Sequence, residues 1–194
     1  MDNGIKNIEI NPDWFYHRLE EENFDKIILS GGLYSKRKLG RKENRNLSLN
    51  GRNFISLSKR IDIKEGTSIS DYSYSYYIDW HFGYVIEGVD AIKTRYIKSY
   101  QPFHTFLKNL PVNRRYSLFY DEYQVKNEIP LEKIVGIKIP NLPRDFLDLV
   151  QEEEILECLL KKMELTAYSI PFIDVENKKK IEPNKIKQYI KRRC

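Results

Sequence analysis

Cysteine is scarce in this sequence, which contains only two such residues, Cys158 and Cys194. Neither of them has a second cysteine or a histidine at metal-ligand spacing, so the sequence predicts neither a disulfide framework nor a zinc site. Cys158 lies on the apolar side of a predicted helix, where a buried and inert thiol is the favoured interpretation. We therefore expect the cysteines to contribute packing rather than chemistry.

Long apolar runs are also missing. The longest of them, such as KIILSGGL and FISLS, fall far short of the roughly 20 residues that a membrane helix needs. The first residues, MDNGIKNIEINPDW, lack the basic and then apolar layout of a signal peptide. We therefore expect no membrane partner, and a protein that stays in the cytoplasm of its producer or reaches a target cell through a dedicated secretion system.

Several familiar catalytic motifs are absent as well. The sequence contains no Gly-x-Gly-x-x-Gly, no phosphate-binding Gly-x-x-x-x-Gly-Lys-Ser/Thr, no Gly-x-Ser-x-Gly and no His-Glu-x-x-His. Phosphoryl transfer, serine hydrolysis and zinc proteolysis therefore lack their usual signatures. A Ser-His-acid triad built from distant residues stays open, because such triads assemble across a fold.

What is present is the composition of an ordinary globular chain with an excess of positive charge. The 194 residues are 41% hydrophobic and 31% charged, which favours one soluble domain with a buried core. The formal charge of +5 concentrates in residues 35–45 and 178–194. Such cations can bind phosphates by releasing counterions, but a solvated loop or helix face is the more common explanation of a charge run.

Short strands alternate with helices along the chain, which predicts an α+β fold. Alternating or β-branched runs bounded by turn residues predict strands at 15–19, 52–59, 82–88, 116–127 and 133–140. Apolar residues at helical spacing predict helices at 22–32, 143–165 and 182–193. The first of these helices has Asn23 as its predicted N-cap, and Gly31 or Gly32 supplies the left-handed residue that ends it.

Four of these segments form an ordered set: a strand with FYHRL, a short helix ending in SGGL, a strand with FISLS, and YDEYQV followed by IPLEKIVGI. Together they resemble the ADP-ribosyltransferase superfamily over roughly residues 14–139. The resemblance implies two small, mostly antiparallel sheets around an NAD cleft, with NAD as substrate. It also implies a catalytic domain at 1–140, with residues 141–194 as a helical C-terminal segment packed on the same domain.

The first two motifs mix two branches of that superfamily. YHRL resembles the first strand of the diphtheria-toxin-like branch, which makes His17 the residue expected to contact the adenosine ribose. Arg18 matches an arginine that the cholera-toxin-like branch carries on this strand, and Ser56 and Ser58 in FISLS resemble that branch's second motif. Because adjacent strand residues face opposite sides, one of His17 and Arg18 lines the cleft, and we favour His17.

The third motif supplies the residue that the resemblance makes catalytic, Glu122. A carboxylate near the ribose 2′-hydroxyl can stabilise the oxocarbenium character that develops when nicotinamide leaves. Arginine-modifying members carry Glu or Gln where this sequence has Tyr120, so arginine modification is not supported. Tyr72 and Tyr77 are candidates for stacking on nicotinamide, although a partly buried aromatic layer explains this tyrosine-rich segment equally well.

Taken singly, each of these residues has an ordinary structural explanation, and the order of the motifs is what favours the enzyme. The resemblance implies a mono-ADP-ribosyltransferase, in a toxin or effector role, that modifies a macromolecular acceptor, either protein or nucleic acid. An antitoxin or immunity partner stays open. The alternative is a non-catalytic module that binds nucleic acid or protein through the basic loop and tail. An RNA 2′-phosphotransferase-like activity ranks last, because the basic residues that it needs are not recognisable at the motif positions.

Overall fold

The computed structural model describes residues 4–40, 53–59, 82–93, 122–140 and 146–193. Within these ranges the chain forms three α-helices, α1 (Phe24–Ser30), α2 (Phe146–Thr166) and α3 (Ile186–Arg193). It also forms eleven strands, which are β1 (Ile5–Asn7), β2 (Phe15–Arg18), β3 (Gly32–Tyr34), β4 (Phe54–Ser58), β5 (Gly83–Ile86), β6 (Ile92–Lys93), β7 (Glu122–Lys126), β8 (Glu128–Pro130), β9 (Ile134–Lys138), β10 (Phe172–Asp174) and β11 (Lys179–Ile181).

Nine of the described strands form one sheet, in the order β1-β11-β10-β9-β5-β2-β4-β7-β6, and β3 pairs with β8 in a separate sheet. The described strand pairs are antiparallel except β9 with β10. These two neighbouring strands run parallel, and α2 lies between them in the sequence. The expected α+β class is confirmed. The expectation of two small sheets is wrong for the larger one, because β1, β6, β10 and β11 extend it beyond the predicted strands.

The C-terminal segment from residue 141 contains the two expected helices, α2 and α3, and two strands that the sequence did not predict. β10 and β11 have three residues each, which is too short to show the alternation that indicates a strand. Phe172 and Ile181 of these strands are fully buried in the same core as Leu57 of β4. The segment therefore contributes to the sheet as well as to the helical layer.

The helices cover one face of the large sheet, and strand alternation assigns residues to that face. The main core contains Leu57, Tyr84 and Phe172 from the strands together with Phe24 of α1 and residues of α2 and α3. A smaller apolar cluster, built around Tyr16, Val85, Ile173 and Val175, lies on the opposite face. His17 follows Tyr16 along β2 and therefore projects toward the helix-covered face.

The SGG sequence after α1 has a distinct function for each glycine. Gly31 ends the helix with φ of 82°, the left-handed conformation that confirms the predicted C-terminal cap. Gly32 has φ of 153°, and a Cβ there would lie 2.3 Å from the carbonyl oxygen of Ile129. The second glycine is therefore needed because β3 approaches β8 too closely for a side chain. Asn23 is the N-cap of α1 as predicted, without a capping hydrogen bond from its side chain.

A single residue, Asn127, separates β7 of the large sheet from β8 of the small one. Its φ of 67° is uncommon for a residue other than glycine, although asparagine tolerates it better than most. Its backbone nitrogen donates to the carbonyl of Asn53 at 2.9 Å, and its own carbonyl accepts from the nitrogen of Ser35 at 2.7 Å. These two bonds fix the point at which the chain passes from one sheet to the other.

Candidate active site

The three motifs found in the sequence lie on successive neighbouring strands. FYHR forms β2, FISLS forms β4 and the segment that starts at Glu122 forms β7, and the sheet order places β4 between the other two. Tyr16 pairs with Ser58, and Ser58 pairs with Glu122. Tyr16, Ser58 and Glu122, which are far apart in the sequence, thus form one lateral row of the sheet, whereas His17, next to Tyr16, projects to the other face.

In the described residues, β2 and β4 share little backbone pairing. Within the described residues of these strands, Tyr16 with Ser58 is the single backbone pair, whereas β4 and β7 share five pairs and β2 and β5 share four. Further along β2, the Nδ1 atom of His17 lies 2.8 Å from the carbonyl oxygen of Ser56. A side chain therefore makes the connection that a backbone ladder makes elsewhere, as expected where two strands diverge.

The contact to Ser56 determines which nitrogen of His17 carries a proton. A carbonyl oxygen can only accept, so Nδ1 donates, and in the neutral ring Nε2 is then an acceptor. Burial lowers the pKa of His17 below its ordinary value of 6.5, while the hydrogen bond to Ser56 and the charge of Glu20 partly oppose this shift. His17 is therefore neutral at pH 7, with a defined tautomer and an acceptor atom at Nε2.

Arg18 lies next to His17 but differs in its surroundings. Its backbone pairs with Gly83 of β5, and its side chain is exposed, whereas His17 is half-buried and contacts the Ser56 strand. The two residues project to opposite sides of β2, as strand geometry requires. The expectation that His17 lines an NAD cleft in preference to Arg18 stays a prediction.

The two serines of the second motif are in register with two residues of β7. Ser58 is buried and lies opposite Glu122, while Ser56 is half-buried and lies opposite Gln124. The backbone of Glu122 is described, and its side chain lies outside the described part of the chain. Because directly paired residues lie on the same face of a sheet, Ser58 is the serine nearest to position 122.

Gln124 is a site candidate that the sequence reasoning missed. It is buried and follows Glu122 at the two-residue period that keeps strand positions on one face. That period is visible in EYQ, so a search for a second polar residue two positions after the glutamate would have found it. Gln124 thus places an amide in the row that contains Ser56.

The tyrosine-rich segment is described only at its end. Tyr72 and Tyr77, the candidates for stacking on nicotinamide, lie outside the described residues. Tyr84 is opposite His17 in β5, is almost fully buried, and stacks on Phe24 with ring centroids 6.4 Å apart. Among the described residues its hydroxyl has no hydrogen-bond partner, and burial strongly raises its pKa. Tyr84 therefore fits the alternative interpretation, a buried aromatic layer.

The basic loop after β3 is described as far as Gly40. Arg37 and Lys38 are exposed, as expected for such a loop. Lys38 forms an ion pair with Glu128 and lies 4.5 Å from the centre of the Tyr34 ring, and Arg37 contacts Asn53 at 3.4 Å. These contacts hold the described part of the loop against the small sheet.

Two further classes of site receive no support from the described ranges. They contain no cluster of three or more histidine, cysteine, aspartate or glutamate side chains that could hold a metal ion. No helix in the part of the chain that the structure describes is both long and apolar enough to cross a membrane.

The chain was also compared with known proteins. A scan against models of protein families gives no match, and a search of the curated proteins gives none. A search of the solved structures finds a similarity to Thermus sp. 2.9 DarT in complex with carba-NAD+, with 10% sequence identity and a TM-score of 0.42, covering 79% of this chain and 93% of that chain.

Proposed function

We propose that the protein is a mono-ADP-ribosyltransferase that transfers ADP-ribose from NAD to a macromolecular acceptor. The observation that carries the proposal is the adjacency of the three motif strands, β2, β4 and β7. The motifs resemble one superfamily in sequence, and a chance set of motifs would have no reason to fold onto neighbouring strands. The single described backbone pair between β2 and β4 supports the same proposal, because strands that diverge would let one extended ligand contact residues of both.

In this proposal His17 holds the adenosine ribose of NAD. The neutral ring with Nδ1 bound to Ser56 has an acceptor at Nε2, which suits a ribose hydroxyl that donates. Because Ser56 fixes the ring orientation before NAD binds, the contact costs little additional ordering.

Glu122 is the catalytic residue of the proposal. The bond between C1′ of the nicotinamide ribose and the nicotinamide nitrogen breaks, and a bond forms between C1′ and a nucleophilic atom of the acceptor. Nicotinamide leaves with the bonding electron pair, which neutralises its ring nitrogen, and the acceptor atom loses a proton to solvent. A carboxylate at the ribose stabilises the positive charge that develops at C1′, and Ser58, opposite it, is the candidate brace.

The test is NAD turnover by the protein and by a Glu122→Gln variant, with protein and nucleic-acid extracts supplied as acceptors. The substitution keeps the shape of the side chain and removes its charge, so we expect a fall in kcat of about 100-fold or more with little change in NAD binding. Glu128→Gln, on the adjoining strand β8, is the matched control and should retain activity.

Equal turnover in the parent and in Glu122→Gln would contradict the proposal, as would the absence of any NAD turnover in the parent. In that case the binding module is the alternative to examine. Binding to DNA or RNA that weakens steeply with salt, without a thermal shift on addition of NAD, would support it.

A further inference from the structure

Lys59, the first residue after β4, reaches over the side chains of both neighbouring strands. Its ammonium group lies 4.8 Å from the ring centre of Phe15 on β2 and 5.4 Å from that of Tyr123 on β7. The two rings contact each other edge-on, with their centres 5.1 Å apart. Because β4 lies between β2 and β7, these three side chains form a bridge across β4.

The ammonium group of Lys59 is also tied to the turn that precedes β2. It donates to the carbonyl of Pro12 at 3.2 Å and lies 3.9 Å from a carboxylate oxygen of Asp13. The side chain is 32% exposed, so its charge is only partly solvated and its contacts with the rings are stronger than those of a free surface lysine. One residue thus contacts the start of β2, the end of β4 and the start of β7.

These contacts occur where the backbone gives little connection. The described parts of β2 and β4 share a single pair, so the ladder alone does little to fix the distance between β2 and the strands beyond it. Phe15 precedes His17 by two positions, and Tyr123 follows Glu122 directly. The bridge therefore connects the two strands that carry the ribose-binding and catalytic residues of the proposed reaction.

We propose that Lys59 is a positioning residue that sets the distance between the His17 strand and the Glu122 strand through Phe15 and Tyr123, an inference that rests on the proposed function. Displacement of a catalytic group by about 1 Å can reduce a rate about 100-fold, whereas binding is less sensitive. Loss of the bridge should therefore lower kcat and leave the KM for NAD nearly unchanged.

The test compares Lys59→Met, Lys59→Arg and the control Lys187→Met in NAD turnover by the full chain. Methionine keeps much of the stem and removes the cation, so we expect kcat to fall about 10-fold or more. Arginine restores a cation over the rings and should recover kcat to within about 3-fold of the parent. Lys187 also forms an ion pair, with Glu157 at 2.9 Å, but lies on α3, and its replacement should leave kcat unchanged.

Unchanged kcat in Lys59→Met, a rise in KM alone, or no recovery in Lys59→Arg would each overturn the inference. A fall in activity that merely follows the unfolded fraction at the assay temperature would also overturn it. A second measurement does not depend on activity. If the bridge exists, the Tm losses of Lys59→Met and Tyr123→Leu are not additive in the double variant. Inactivity of the parent with non-additive Tm losses would refute the proposed function and leave the bridge, whereas additive losses would refute the bridge itself.

Discussion

Replacing Gly32 by alanine tests the close approach of β3 to β8. The added Cβ would lie 2.3 Å from the carbonyl oxygen of Ile129 and 3.0 Å from Cα of Pro130, and both neighbours are backbone atoms that cannot rotate away. Ordinary contact requires β8 to move by about 1 Å, which strains the hydrogen bonds of a three-pair ladder. A φ of 153° is in addition a conformation that side chains rarely adopt.

The expected loss of stability in Gly32→Ala follows from these two effects. Backbone strain contributes roughly 1 to 3 kcal/mol, and the loss of one or two ladder hydrogen bonds adds about 1 to 2 kcal/mol. For a chain of this size, each kcal/mol corresponds to roughly 2 to 4 °C in Tm, so we expect Gly32→Ala to lower Tm by about 4 to 20 °C.

Thermal unfolding followed by circular dichroism measures this difference, and Gly40→Ala is the matched control. Gly40 also has a positive φ, 65°, but nothing lies within 4 Å of its added Cβ, so only the conformational strain remains. If Gly32→Ala lost no more stability than Gly40→Ala, the steric explanation of the second glycine would be refuted.

Two further predictions concern pH and a buried hydroxyl. Because the pKa of His17 is lower in the folded chain than its ordinary 6.5, the unfolded chain binds the proton first, and stability should fall as pH drops from about 6.5 through the folded value. Denaturant unfolding at pH 7.5 and 5.5 measures this effect, and the free energy of unfolding should fall less for His17→Asn than for the parent. An equal fall in both proteins would assign the pH dependence to other groups. The hydroxyl of Tyr189 donates to the buried carboxylate of Asp174 at 2.9 Å. Tyr189→Phe should therefore lower the free energy of unfolding, measured by denaturant unfolding, by about 1.5 to 3 kcal/mol. The exposed hydroxyl of Tyr34, bound to Ser30 at 2.7 Å, is its control, and a similar cost for Tyr34→Phe would contradict the role of burial.

The sequence predicts the elements whose signals are local. β2, β4, β5 and β9 are short apolar or alternating runs, and α1 has an asparagine at one end and a glycine at the other. The predictions for these segments are confirmed, because alternation and capping depend on neighbouring residues in the chain. The same holds for α2 and α3, whose apolar residues recur at helical spacing.

Pairing and register could not be predicted in this way, because they depend on partners far away in the chain. The register places Ser58 opposite Glu122, a pairing that no local pattern in either segment indicates. Nothing in FISLSK indicates that Lys59 extends over Phe15 and Tyr123. The sequence therefore indicates the candidate residues, and their arrangement becomes visible only in the folded chain.

The single-residue connection at Asn127 has a mechanical consequence. A longer linker would allow the two sheets to move independently, but here one residue in a left-handed conformation joins β7 to β8. The carbonyl of Asn127 is also bound by the nitrogen of Ser35, directly before the basic loop. The basic loop is therefore connected to β7 through a single hydrogen bond and a single residue, so a displacement of Ser35 has a short backbone route to the strand that carries Glu122.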